Sequence, residues 1–205
     1  NAQQRRESDY RSATRDVEKL IKQLEEDQID SLILDLRGNG GGILSEAVSI
    51  TGLFIDSGPV VQKRDAFGDV VVLRDKDQRV VYEGPLTVII EAASASASEI
   101  VAGALQDYRR ALVIGNANTF GKGTVQIVTN VDRRRDELGS FKLTNALYFL
   151  PSGRTPQLEG IAPHISLPQS NRASRSMRDN QFAIPSEKLP PIEYTKTAEG
   201  NHHIA

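Results

Sequence analysis

Apolar positions along this chain follow two different periods. Between residues 12 and 27, Val17, Leu20, Ile21 and Leu24 recur at helical spacing with charged residues between them, which predicts an amphipathic helix. Ser31 to Leu36 is a short apolar run of strand length, and Gly38 to Gly42 breaks it. Ser45 to Ile55 then reads as a helix, so a strand passes to a helix across a glycine-rich turn. Strand-like runs follow at Val60–Gln62, Val70–Leu73, Val80–Tyr82 and Leu86–Ile90, and Asp75-Lys76-Asp77 has the composition of a hairpin turn. Ser98 to Tyr108 predicts a helix and Ala111 to Ile114 a strand. Thr124–Thr129 and Phe141–Leu150 predict paired strands around the charged loop Asp132-Arg133-Arg134-Arg135-Asp136-Glu137. Strands alternating with helices imply a mixed α/β (α+β) core over residues 1–168. Residues 169–205 are polar, with prolines at 185, 190 and 191, and are expected to form an extended or disordered tail.

Composition narrows the class. The 205 residues suit one domain, 39% hydrophobic and 25% charged, as in a soluble globular protein. A net charge of −2 gives no general attraction to nucleic acid or anionic membrane. No apolar run reaches the length of a transmembrane helix. The opening Asn1, with Gln3-Gln4-Arg5-Arg6 close behind, has no signal-peptide pattern and reads as a fragment or a mature piece. The absence of cysteine excludes thiol catalysis and disulfides. Of the three histidines, His202 and His203 sit in the last few residues, so only His164 is available for a Ser-His-Asp triad.

Chemistry without histidine is offered by Ser96 and Lys122. Ser96 follows the apolar run Leu86–Ile90 and precedes a predicted helix; with Glu99 it also makes a capping-box pattern. A serine there is exposed at a sheet edge, beside helix N–H groups that favour negative charge. The N–H of Ala97 is then a candidate oxyanion donor. Lys122 lies among glycines, Phe120 and Val125, with little polar company. Burial lowers a lysine pKa, and a fall of roughly two to three units from about 10.4 makes a useful base near neutral pH. Gln126 is expected on the same strand as Thr124, where it can orient Lys122 or Ser96, or simply face solvent. Gly40-Gly41-Gly42 exceeds what one turn requires, allows close approach to a ligand, and makes Gly42 a candidate second oxyanion donor. Asp35 and Arg37 are expected to form a local ion pair.

Two glycine patterns are excluded. Gly115 to Gly123 differs from a phosphate-binding loop, with five residues between its first two glycines and Gly123 after the lysine, so no nucleotide site is implied. Gly38-Asn39-Gly40-Gly41-Gly42-Ile43 has Ile43 where the dinucleotide pattern needs its third glycine.

Taken together, Asp35 to Gly42, Ser94 to Ile100, Phe120 to Gln126, and Tyr148 to Arg154 followed by Gly160-Ile161-Ala162-Pro163 resemble the carboxyl-terminal processing, or tail-specific, proteases. The segment Ser12-Ala13-Thr14-Arg15-Asp16-Val17 is most similar to their Prc-type periplasmic branch. The resemblance implies a Clp protease/crotonase-like core of ββα units with an additional strand-rich segment. It implies an ATP-independent serine endopeptidase with Ser96 as nucleophile, Lys122 as base, Gln126 as the orienting third member, and Gly42 and Ala97 as oxyanion donors. No metal or organic cofactor is implied. The implied partners are unfolded or tagged proteins with apolar C-termini, together with an adaptor lipoprotein, in the periplasm or at its membrane. Full family members carry a PDZ domain and a strand upstream, so the resemblance implies a fragment. His164 stands where the family usually has an acidic residue and is read as structural. Two alternatives remain: a non-catalytic peptide-binding scaffold that pairs extended peptides at a strand edge, and a crotonase-type acyl-CoA enzyme.

Overall fold

The computed structural model describes residues 11–132, 136–168 and 175–196. Thus His202, His203, Arg133–Arg135 and parts of the expected tail lie outside the described residues.

Helix α1 (Ala13–Glu26) begins at the N-cap Ser12, whose hydroxyl accepts the N–H of Arg15. Its apolar stripe is only partly used. Ile21 is buried and Val17 packs on the core, while Leu20 and Leu24 remain exposed. The helix meets the body through α2 (Leu44–Gly52), and Leu20 and Leu24 lie together on the side of the stripe turned to solvent.

Two four-stranded sheets carry the fold. The first is entirely parallel, in the order β1 (Leu32–Asp35), β4 (Leu86–Ile90), β5 (Leu112–Gly115), β8 (Ile165–Ser166). Leu34, Val88 and Val113 stand side by side across it, the two valines fully buried. The second is antiparallel, in the order β3 (Val70–Asp75), β2 (Gly58–Asp65), β7 (Ser140–Phe149), β6 (Thr124–Asn130). Helices α2 and α3 (Ala97–Asp107) pack on each other and against β2, and α3 also against β5. One core of Phe54, Val60, Ile100, Leu105, Tyr148 and their neighbours results.

Two expectations are corrected. Val80–Tyr82 is not a strand: the N–H groups of Val81 and Tyr82 both donate to the Leu53 carbonyl, at 2.8 and 3.2 Å, and the Tyr82 ring is buried. The hairpin does not turn at Asp75–Asp77, which instead leaves β3 and folds Asp77 onto Arg79. It turns after Asp65, whose Oδ1 accepts the N–H groups of Phe67 and Asp69 while Gly68 takes a φ of +93°.

Residues 175–196 are docked, and extended apart from a 3-10 turn at Met177–Asp179. The amide of Gln62 donates to Pro190 O, that of Gln157 to Ile184 O, and Leu189 N–H to Gly153 O. The Tyr194 ring packs against Tyr108 at a tilt, with 4.7 Å between centroids.

Parallel strands place all their carboxyl ends at one edge, where ligands bind in open α/β sheets. The turn after β1, the serine segment after β4 and the lysine loop after β5 therefore meet there.

Candidate active site

The glycine turn and the serine segment are stitched together by main-chain and side-chain bonds. Ala95 N–H donates to Asn39 O at 3.0 Å, and Gly38 N–H to the Glu91 carboxylate at 2.8 Å. Ser94 Oγ donates to Leu36 O at 2.8 Å, and Ser98 Oγ to Asn39 O at 3.0 Å. Of the three alternating serines, the outer two thus hold the turn in place. Ser96 is left facing the cleft.

Ser96 has φ +59° and ψ −116°, a turn conformation that favours glycine. It is no ordinary cap. One half of a capping box forms: the Glu99 carboxylate accepts the Ser96 N–H at 2.7 Å. Yet the Glu99 N–H goes to the Ser96 main-chain oxygen at 2.9 Å, and the serine hydroxyl makes no capping bond. That hydroxyl instead lies 3.4 Å from Lys122 Nζ. The separation is long for a hydrogen bond and usual for a catalytic pair without substrate.

Lys122 is brought there by a loop pinned at several points. Phe120 N–H donates to Ser94 O, Thr119 N–H to Ile161 O, and Leu158 N–H to Gly121 O. Gly123 N–H donates to the buried Gln157 amide oxygen at 2.9 Å. Burial holds the Lys122 pKa below the usual lysine value; the positive charge of Lys142 adds to this, and Glu99 opposes it. The shift is in the direction a general base requires.

Glu99 is fully buried at the centre of this arrangement. Its Oε1 accepts Thr119 Oγ1 at 2.6 Å and Gly121 N–H at 2.8 Å, and its Oε2 accepts the N–H groups of Ser96 and Lys122. Burial pushes its carboxyl pKa up, and these donated bonds pull against the shift. From the sequence Glu99 was legible only as a helix cap. Tyr148, whose hydroxyl reaches Ser96 O and Lys122 O, was legible only as part of a motif. Nothing local in either sequence context signals these contacts.

Gly42, Ala97, Ser96, Lys122 and Gln126 line one cleft of about 330 Å³. Gly41 N–H is turned inward to Asn39 Oδ1 at 2.9 Å, leaving Gly42 as the glycine beside the cleft. Ala97 opens α3, where main-chain N–H groups lack intrahelical acceptors. Gln126 is exposed on β6, just past a register shift, and its amide bonds neither Ser96 nor Lys122. A second cavity of about 410 Å³ adjoins Gly41, Gly42 and Ala97, with apolar walls from Leu36, Ile43 and Val101. His164 is engaged elsewhere: its Nδ1 accepts the Val113 N–H at 3.0 Å, tying the start of β8 to β5. The Asp35–Arg37 pair forms at 2.7 Å on the surface.

A parallel sheet with a glycine-lined cleft at its carboxyl edge, holding a serine against a lysine of lowered pKa, defines a hydrolase-like α/β architecture. Comparison with known proteins makes this specific: residues 5–167 match the model of Peptidase family S41, and the chain belongs to that family. It is 42% identical over 198 residues to the tail-specific protease of Haemophilus influenzae, covering 94% of this chain and 28% of that protein. It is 42% identical over 163 residues to the carboxy-terminal-processing protease of Bartonella bacilliformis, covering 79% of this chain and 36% of that protein. The solved photosystem II D1 C-terminal processing protease superposes with a TM-score of 0.67 at 30% identity, over 76% of this chain and 39% of that one. The chain therefore spans about a third of the length of these relatives, and its fold is the Clp protease/crotonase-like fold of the family.

Proposed function

We propose that this chain carries the catalytic centre of an ATP-independent serine endopeptidase that processes or degrades proteins selected by an apolar C-terminus. The observation that carries this is Lys122 Nζ at 3.4 Å from Ser96 Oγ, in a site that disfavours its ammonium form. Neutral Lys122 takes the Ser96 hydroxyl proton as Oγ bonds to the scissile carbonyl carbon. The N–H groups of Gly42 and Ala97 hold the resulting oxyanion. Collapse expels the amine, which receives its proton from Lys122, and leaves an acyl ester on Ser96. Water, deprotonated by Lys122, then releases the acid and restores the serine. Gln126, at the cleft wall, is the orienting third member by the family resemblance.

Apolar selection is supported by the apolar cavity beside Gly42 and Ala97 and by the similarity to a tail-specific protease. The family resemblance supports a periplasmic location and an adaptor lipoprotein partner, which fractionation and co-purification from the native cell would test.

The central experiment gives the full-length protein and its Ser96→Ala variant two versions of an unfolded substrate, one with an apolar tail and one with a charged tail. Cleavage of the apolar-tailed version alone, lost in Ser96→Ala and insensitive to chelator, is expected. Equal turnover by both proteins would refute the role of Ser96. Binding without turnover by either would identify a peptide-binding scaffold.

A further inference from the structure

Tyr148 lies beneath the reacting pair without touching either reacting atom. Its side chain is 1% exposed. Antiparallel pairing of β6 with β7 brings it there: Thr124 stands opposite Leu147, and Tyr148 N–H donates to Gly123 O at 2.9 Å. The hydroxyl donates to Lys122 O at 2.6 Å and reaches Ser96 O at 3.0 Å. Glu99 mirrors this on the opposite side of the same two residues. Its Oε2 accepts the N–H of Ser96 at 2.7 Å and that of Lys122 at 2.9 Å. Each residue of the pair is therefore held at its N–H by one carboxylate oxygen, and their two carbonyls share the single Tyr148 hydroxyl proton, the shorter bond being to Lys122.

We propose that Tyr148 is a positioning residue of the peptidase: acting with Glu99, it locks the main chains of Ser96 and Lys122 to each other and so sets the Oγ–Nζ separation. This rests on the assignment of Ser96 and Lys122 as nucleophile and base. The physical reason is geometric. Fixing both the N–H and the C=O of a residue fixes the direction in which its Cβ points. Ser96 needs such restraint, because a non-glycine residue at φ +59° persists only where its surroundings over-determine it. Lys122 needs it because it sits among glycines, which leave the loop many alternative paths. Burial raises the Tyr148 hydroxyl pKa well above its usual value, so the donor stays protonated wherever the enzyme works. Glu99 also holds Thr119 and Gly121, so its loss mixes loop folding with positioning. Tyr148→Phe removes one oxygen and keeps the ring.

The test compares Tyr148→Phe with the native full-length protein. Three quantities are read: sites titrated per molecule by an activated ester that acylates Ser96, kcat and KM on an apolar-tailed protein, and the pH dependence of kcat. The expected result is a kcat lower by about 10- to 100-fold with KM within about twofold, from a sub-ångström to ångström misplacement of the pair. Titratable sites remain the same in number, and the acidic limb of the pH profile moves to higher pH, since a looser site admits water to Lys122. A native-like kcat, or a fall in kcat that only follows lost titratable sites with the limb unmoved, would overturn the proposal. Ser96→Ala separates the two levels. If it is acylated and cleaves like the native protein, the Ser96 assignment fails and the proposal with it; if it is dead while Tyr148→Phe is native-like, only the positioning role fails.

Discussion

Gly41 and Ser96 are in contact so close that no side chain fits between them: a Cβ on Gly41 would stand 2.8 Å from Ser96 Cβ, 2.6 Å from Ala97 N and 2.5 Å from Ala95 O. Gly41 also has a φ of +89°. Its neighbour Gly42 has open space at the same place. Two adjacent glycines thus have different reasons to be glycine. One lets the serine segment close on the turn, and the other leaves the cleft clear.

Gly41→Ala is expected to push the Ser96–Ala97 peptide out of place. Turnover should fall by at least about 100-fold, and stability by about 1–3 kcal/mol from the strained φ. Gly42→Ala keeps the N–H and meets no neighbour, so stability should change by less than about 0.5 kcal/mol. Urea denaturation and steady-state kinetics on both variants check the contrast. Equal damage from the two substitutions would contradict the distinction.

Ser96, the proposed nucleophile, carries backbone strain at φ +59°. Replacing it with glycine or alanine removes the hydroxyl either way, and both variants should be inactive. Glycine relieves the positive φ, so Ser96→Gly should be more stable than Ser96→Ala by about 1 kcal/mol once the extra freedom of the unfolded glycine chain is subtracted. Thermal melts would read this. An alanine variant as stable as the glycine one would mean the turn relaxes when the hydroxyl is gone.

Lys142 stands at the cleft wall, and its positive charge helps to lower the Lys122 pKa. As the proposed base, Lys122 acts in its neutral form, so activity is expected to rise with pH through that lowered value. In Lys142→Glu a negative charge stabilises the ammonium, and the Lys122 pKa rises. The acidic limb of kcat should move to higher pH by about 0.5–1 unit at low salt, and by less at high salt. Lys142→Gln should move it about half as far. A pH–rate profile that does not move, or moves to lower pH, would refute the coupling.

Gln157 joins the docked segment 175–196 to the lysine loop: its oxygen accepts Gly123 N–H and its amide donates to Ile184 O, while Met177 N–H bonds Phe120 O. Gln157→Leu strands a buried donor and an acceptor together. It should cost about 2–4 kcal/mol of stability and expose the segment to limited proteolysis. A variant with native stability and native protease resistance would show that the segment is held by its other contacts, including the Arg64–Glu187 pair and Tyr194 on Tyr108.

Much of this architecture is legible along the chain because its signals are local. The helix after Ser12 announces itself by spacing, and three strands of the parallel sheet by short apolar runs beside glycine or proline; β8, only two residues long, has no such signal. Ser96 and Lys122 stand out because a serine between a strand and a helix, and a lysine among glycines, are chemically unusual neighbourhoods. Val80–Tyr82 misleads for the same reason that Leu86–Ile90 does not. Both are apolar runs, but Val80–Tyr82 spends two of its N–H groups on one carbonyl of a neighbouring loop and has no strand to pair with. Asp75-Lys76-Asp77 has turn composition, yet the turn belongs to Asp65, where a side chain can close on two N–H groups at once.

What the sequence alone determined is the order of elements and the chemical kinds of residue at the carboxyl ends of the strands, since propensity, periodicity and side-chain chemistry are properties of neighbouring residues. Tertiary structure decided the rest. It turned the hydroxyls of Ser94 and Ser98 onto carbonyls of the glycine turn and left that of Ser96 beside Lys122. It made Glu99 and Tyr148 the common partners of two residues that are far apart in the chain. It also laid residues 175–196 along the body through single side-chain amides. These are contacts between distant segments, formed only when hydrophobic burial has brought the sheets and helices together, and no local pattern encodes which donor will then meet which acceptor.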